Sequence, residues 1–214
     1  MPSAKNGLAA LLYRFRGYIL GLIAIVLVIT PPCVFATEIR SGIFCVDRCI
    51  LGILIAITLY VVSALLRVQS RRFIGEHTRG HVHAADALVT CGPYASVRHP
   101  LYVSNTGFAL GLAFFHLGVS LWVVPFMLVV VAFEIALSRI EDRFLEKTFG
   151  DVWRAWAAKT PAFFPRLGGT ACGSSRVPAQ RTFWQAFFAD SSSWLWLVFC
   201  NLLLVLRKVA VFYV

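Results

Sequence analysis

The sequence predicts an all-α integral membrane protein with four to five transmembrane helices. Three observations carry that expectation. The 214 residues are 59% hydrophobic and 14% charged, a balance unlike that of soluble domains. The uncharged stretches are long enough, at about 1.5 Å per helical residue, to cross a hydrocarbon core roughly 30 Å thick. The twenty Lys and Arg, set against ten Asp and Glu, sit mostly between those stretches. Disorder is excluded by the apolar content, and a disulfide-stapled miniprotein by six Cys in so long a chain. The excess of +10 would suit nucleic acid if it formed one patch, but its placement between apolar blocks is that of cytoplasmic loops, so no nucleic-acid partner is expected.

A first span is expected over 17–37, where no residue is charged. Lys5, Arg14 and Arg16 precede it without an acid and place the N-terminus in the cytoplasm. A cleaved signal peptide is not expected, because the first apolar block is long and has Pro31-Pro32 near its end. A second span is expected over 49–66, after a short charge-balanced connection holding Glu38, Arg40, Asp47 and Arg48. From Pro100 to Phe133 there is again no acid, Lys or Arg, too long a run for one crossing, and His116-Leu117-Gly118 interrupts it. A hairpin of spans at about 100–116 and 118–138 follows, then a cytoplasmic helix at about 139–158. Four crossings return the chain to the side where it began. The loop with Arg67, Arg71, Arg72, Arg79 and Arg98, and the stretch from Arg139 to Arg181, then both face the cytoplasm.

Residues 1–166 form the expected membrane core. Residues 167–190, opening on Gly168-Gly169-Thr170-Ala171-Cys172-Gly173-Ser174-Ser175, read as a flexible linker. Residues 191–214 read as a C-terminal membrane-embedded helix, with Arg207 and Lys208 snorkelling.

The cysteines form no CxxC pair. Cys33, Cys49 and Cys200 fall in or beside apolar segments, as small buried hydrophobes do. Cys45 and Cys49 are close enough to bridge, although nothing demands it. His77, His81 and His83 include an HxxxH spacing, His77 and His81, that a helix would place on one face, but Gly75, Gly80, Glu76 and Arg79 among them indicate a solvated loop, and no metal site is expected.

Two segments carry the chemistry. The first runs from Asp86 through Gly92-Pro93-Tyr94 to Arg98-His99-Pro100-Leu101-Tyr102. Gly92-Pro93 makes a turn, and Pro100 keeps His99 extended and opens a helix. Arg98 and His99 therefore sit at a helix mouth, where free N–H groups and the helix dipole favour an anion such as a carboxylate. The alternative for Arg98, His99 and Tyr102 is an ordinary interfacial anchor. The second segment holds Glu134, Glu141-Asp142, Phe149-Gly150, Trp153, Trp156 and Pro161 to Pro165. Glu134 and Glu141 are seven apart, on one helical face. A carboxylate inside a span is costly unless it lines a polar cavity, which makes Glu134 a functional candidate.

The ordered combination GxYxxxRHPxY, acidic pair, FGxxW and PxxxP resembles the membrane methyltransferase family that includes isoprenylcysteine carboxyl methyltransferases and phospholipid methyltransferases. The resemblance covers Asp86 to Pro165. It implies a cytoplasmic cofactor pocket for S-adenosylmethionine, with contacts from Asp86, Ala87, Leu88, Val89, Tyr94, His99, Pro100, Leu101, Tyr102, Glu141 and Asp142. Arg98, Glu134 and Glu141 are the candidate catalytic residues, and the acceptor is a lipid or lipid-modified molecule reached from the membrane. The chain departs from the family at Asp142, where Glu is common, at Ser104, where Gly is usual, and at Trp153 and Trp156, where Tyr is commoner. It also has Leu137 where the isoprenylcysteine branch has a substrate-contacting Arg. Two alternatives stand beside this reading. Membrane sterol reductases, which use a nicotinamide cofactor, have a similar FGxxW and Pro-rich ending, and a non-catalytic or haem-binding membrane protein would use His77, His81 or His83.

Overall fold

Where the described residues run apolar, they are mostly helical. The computed structural model describes residues 7, 15–33, 43–74, 87–166 and 179–213. These contain seven α-helices: α1 (Arg16–Ile29), α2 (Ile43–Phe73), α3 (Pro100–Leu117), α4 (Val123–Phe149), α5 (Asp151–Ala157), α6 (Phe183–Phe188) and α7 (Ser191–Tyr213). A short 3₁₀ turn covers Gly92–Ala95. Among the described residues three stretches are long and apolar enough to cross a membrane, Arg48–Phe73, Val123–Phe149 and Ser191–Tyr213. The protein is thus an all-helical membrane protein over its described residues.

The boundaries differ from the expected ones for local reasons. α1 stops at Ile29 rather than Thr37, because Pro31 and Pro32 remove N–H donors and crowd the preceding turn. α2 runs past Leu66 to Phe73, so that Arg67, Arg71 and Arg72 belong to its last turns and not to a loop. Arg71 and Arg72 face the negative end of the helix dipole there. The hairpin turn falls at 118–122, close to the expected interruption. The expected fourth span and the first part of the expected cytoplasmic helix are one continuous helix, α4, since nothing between Pro125 and Gly150 breaks it, and the remainder of the cytoplasmic helix is the separate α5. The break comes at Gly150, whose φ of 54° is a backbone state that side chains rarely tolerate. α7 continues through Arg207 and Lys208, and the Lys208 ammonium lies 4.9 Å from the centroid of the Phe115 ring.

Of the linker expected over 167–190, residues 167–178 lie outside the described residues. Residues 183–188 form α6, because Thr182 accepts from the Gln185 amide while the Gln185 side chain accepts from the Thr182 amide. His77, His81 and His83 also lie outside the described residues.

The chain divides into two units. One gathers 65–104 and 133–190 with the N-terminal stretch, the other 18–64, 105–132 and 191–214. The second has an apolar core of Leu27, Ala113, Leu117, Val123 and Leu204, flanked by Val28, Phe114, Phe115 and Phe126. In it Cys33 is bonded to Cys49, not Cys45 to Cys49. That bond holds the end of the α1 segment beside the start of α2, and the Cys33 amide, which donates to the His116 carbonyl at 2.8 Å, holds it beside the end of α3. Cys200 is a buried free thiol, as expected of a small hydrophobe.

Candidate active site

The first unit brings the two chemistry-bearing segments together. Pro100 is the first residue of α3 and His99 its cap, whose carbonyl accepts from Val103 at 3.1 Å. The chain after α5 lies along this cap. The Arg98 amide donates to Pro161 O at 2.8 Å, the His99 amide to Ala162 O at 3.2 Å, and the Arg166 amide to Ser96 O at 3.0 Å. The Trp156 indole donates to Tyr94 O at 3.3 Å. The Pro-rich ending of the second segment thus satisfies backbone groups that Pro100 and the turn leave outside any helix. Gly92, with φ of 63°, makes the turn, and any side chain there would collide with the Phe73 ring.

The side chains converge on the acidic pair of α4. His99, 4% exposed, lies 2.9 Å through Nε2 from Asp142 Oδ1 and 3.9 Å through Nδ1 from Glu141 Oε2. Arg98 Nη1 is 3.5 Å from Asp142 Oδ2. The Arg98 guanidinium also lies 5.7 Å from the centroid of the Trp153 ring, in cation–π range. The His99 ring packs beside Tyr102 at 5.5 Å and Phe163 at 6.0 Å. Both acids are therefore held against one wall of Arg98 and His99, and Glu141 keeps about a third of its side chain open.

Three buried donors near this wall have no hydrogen-bond partner among the described residues: Tyr94 Oη, Arg98 Nε and Trp153 Nε1. Such groups cost about 1–3 kcal/mol each when left unmade, so a cluster of them needs an explanation. Burial pushes the Tyr94 hydroxyl well above the ordinary tyrosine range, and the Glu141 charge pushes the same way against the smaller pull of Arg71 and Arg67. Tyr94 is consequently a neutral O–H donor at physiological pH.

Of the other expected residues, Pro100 is buried and Leu101 half-buried in the first turn of α3. Ala87, Leu88 and Val89 form an irregular approach to the turn, with Ala87 exposed and the other two half-buried. Asp86 lies outside the described residues. Glu134 is 1% exposed on α4, two turns before Glu141. Leu137, also 1% exposed, presents only hydrocarbon where the isoprenylcysteine branch has its Arg.

One ionic group escaped the sequence reading. Asp190, 2% exposed, forms ion pairs with Arg67 and, at 3.2 Å, with Arg71. Its signal was present. Asp190 is the one acid after Asp151, set immediately before an apolar block, and an acid in such a place is costly unless paired.

The comparisons agree with the resemblance. Residues 51–152 match the model of the phospholipid methyltransferase family, which takes in the first chemistry segment, the acidic pair and α4. The cobalt-zinc-cadmium resistance protein CzcN of Cupriavidus metallidurans is 42% identical over 82 residues, 38% of this chain and 37% of that protein. The nickel-cobalt-cadmium resistance protein NccN of Alcaligenes xylosoxydans xylosoxydans is 39% identical over 80 residues, 37% of each. The chain thus matches little more than a third of the length of these relatives. No solved structure matches it.

Proposed function

We propose that the chain is a membrane methyltransferase that moves a methyl group from S-adenosylmethionine to an amphiphilic, lipid-like acceptor at a site facing the cytoplasm. The observation that carries this reading is the wall of Arg98 and His99 against Asp142 and Glu141, with the donors of Tyr94, Arg98 and Trp153 buried beside it. The chemistry of these groups fits the cofactor. Its ammonium and sulfonium call for carboxylates or ring faces, and its carboxylate calls for N–H and O–H donors.

S-adenosylmethionine supplies a methyl carbon on a sulfonium, and in transfer the acceptor's lone pair bonds that carbon as the carbon–sulfur bond breaks and its electron pair stays on sulfur. The chain's own work is to align and to keep water out. Glu141 would hold the positive end of the cofactor. Asp142 is committed to His99 and Arg98 and holds both in place. Tyr94, Arg98 Nε and Trp153 would donate to the cofactor's anionic end. An amine acceptor must first lose a proton, and Glu134 or Glu141 takes it; a carboxylate or thiolate needs orientation only. Leu137 favours a lipid amine or thiol over an isoprenylcysteine carboxylate. The arginines at the end of α2 support the cytoplasmic placement of this face. The Cys33–Cys49 bond at the opposite end of that helix suits an oxidising side.

Isothermal titration of the purified full chain with S-adenosylmethionine, NADPH and haem tests the reading. Binding is expected for S-adenosylmethionine, and binding of NADPH or haem in its place overturns the proposal. Glu141→Gln should weaken cofactor binding by about 1.5–3 kcal/mol, the range for a hydrogen bond to a charged group. Glu134→Gln should leave cofactor affinity unchanged and lower turnover. Metal resistance, which the relatives' names describe, is a setting to test separately by growth of cells with and without the chain.

A further inference from the structure

The segment 180–190 is tied at both of its ends to the last two turns of α2. At one end the amides of Gln180 and Arg181 donate to Arg72 O at 2.8 and 3.2 Å, and Arg72 Nε donates to Arg181 O at 3.4 Å. At the other, Asp190 is paired with Arg67 and Arg71. Between the ties α6 turns Ala186 inward, fully buried, and leaves Phe183, Trp184 and Phe188 at 37%, 65% and 67% exposure. The rings form one ridge, with Phe183 and Trp184 5.4 Å apart, Trp184 and Phe188 6.4 Å apart, and Phe187 and Phe188 5.5 Å apart. Held at both ends, this ridge is not free to fold over and bury itself.

Its level relative to a bilayer follows from the chain. The ties lie on Arg67, Arg71 and Arg72, at the end of one helix long and apolar enough to cross a membrane, and Ser191, the residue after Asp190, begins another. Both ends of the segment are thus held at the ends of helices long and apolar enough to cross a membrane. Trp and Phe are at home at that depth, with their rings at the boundary between headgroups and acyl chains. The only acid of the segment is turned inward to the arginines, so no carboxylate on it faces lipid phosphates.

We propose that 180–190 is an interfacial strap whose partner is the bilayer surface, with Phe183, Trp184 and Phe188 seated at the headgroup–acyl boundary. This does not rest on the methyltransferase reading. It gives the end of α2, which carries Arg67 and Arg71, a second fixed point in the membrane besides the helix itself.

The test reconstitutes the full chain into nanodiscs of phosphatidylcholine and phosphatidylglycerol, with and without bromine on the upper acyl chain, and compares it with Trp184→Phe. Trp184 is mostly exposed, so this substitution leaves the packing intact. The parent-minus-variant emission reports Trp184 alone. The expected result is strong quenching of that difference by brominated lipid and little by aqueous iodide. The reverse order, iodide quenching it and brominated lipid not, places the ridge in water and overturns the proposal. A difference emission insensitive to both quenchers that changes on diluting protein in lipid assigns the ridge to a second copy of the chain, and overturns it equally.

Discussion

The two units bury different things. Of the ten buried polar or charged residues among those described, eight belong to the unit of 65–104 and 133–190: Arg67, Ser70, His99, Ser104, Glu134, Ser138, Thr160 and Asp190. The other unit buries Ser63 and His116, and otherwise an apolar cluster closed by a disulfide. Buried polar groups need partners of definite geometry, whereas apolar packing accepts any shape that fills the space. The first unit is therefore specified by pairs of residues and the second by volume. Chemistry needs positioned charges, and the candidate site lies in the unit that has them.

Asp190→Asn should break this contrast most visibly. Removing one member of a buried ion pair costs about 3–5 kcal/mol, because the partner charge stays buried. Thermal unfolding in detergent measures it, and a loss under about 1 kcal/mol, the surface-pair range, would show that the ionic unit is held by packing after all. Next comes the disulfide of the apolar unit. The separation of 16 residues predicts a loss of about 3 kcal/mol on replacing Cys33 and Cys49 by Ser. Cofactor binding should survive that change, since the bond closes the other unit.

Asp142→Asn sharpens the comparison inside the ionic unit. It removes the charge that both His99 and Arg98 face, with an expected loss of about 1.5–3 kcal/mol in cofactor affinity, read by titration, and a smaller change in melting temperature. If melting falls and affinity does not, the pair is structural. The smallest effect is at Tyr94. Its folded pKa is raised, so its contribution is present below the ordinary value of 10.0 and is lost as the pH climbs above it, where the unfolded chain gives up the proton and the folded one keeps it. Melting of the parent should accordingly fall more between pH 9 and pH 11 than that of Tyr94→Phe, whose ring has no proton to lose. Equal slopes would place the hydroxyl in water.

Much of the site was legible before the fold. Pro100 after Arg98-His99 announced a capped helix start, and Glu141-Asp142 on a long helix announced a carboxylate pair. Local rules of dihedral angle and spacing decide both. Three things were not legible. The choice of Cys33 over Cys45 as the partner of Cys49 brings the end of the α1 segment to the start of α2, a meeting that spacing along the chain does not encode. The commitment of Asp142 rather than Glu141 to His99 depends on which face of α4 meets the cap of α3, and seven-residue spacing from Glu134 pointed to Glu141. The strap looked like linker because its glycine-rich beginning set the expectation for its end, while its order comes from Arg72, Arg67 and Arg71, more than a hundred residues earlier.

By itself the sequence determined that the chain is helical and belongs in a membrane, since hydropathy and backbone hydrogen bonding within apolar runs are properties of contiguous residues. It also determined which residue types stand at helix mouths. Only the tertiary structure decided which charges meet, that Asp190 faces Arg67 and Arg71 and that Arg98 and His99 face Asp142. An ion pair in a poorly solvating interior depends on distances of a few ångström between groups far apart along the chain, and no local pattern in the sequence encodes those distances.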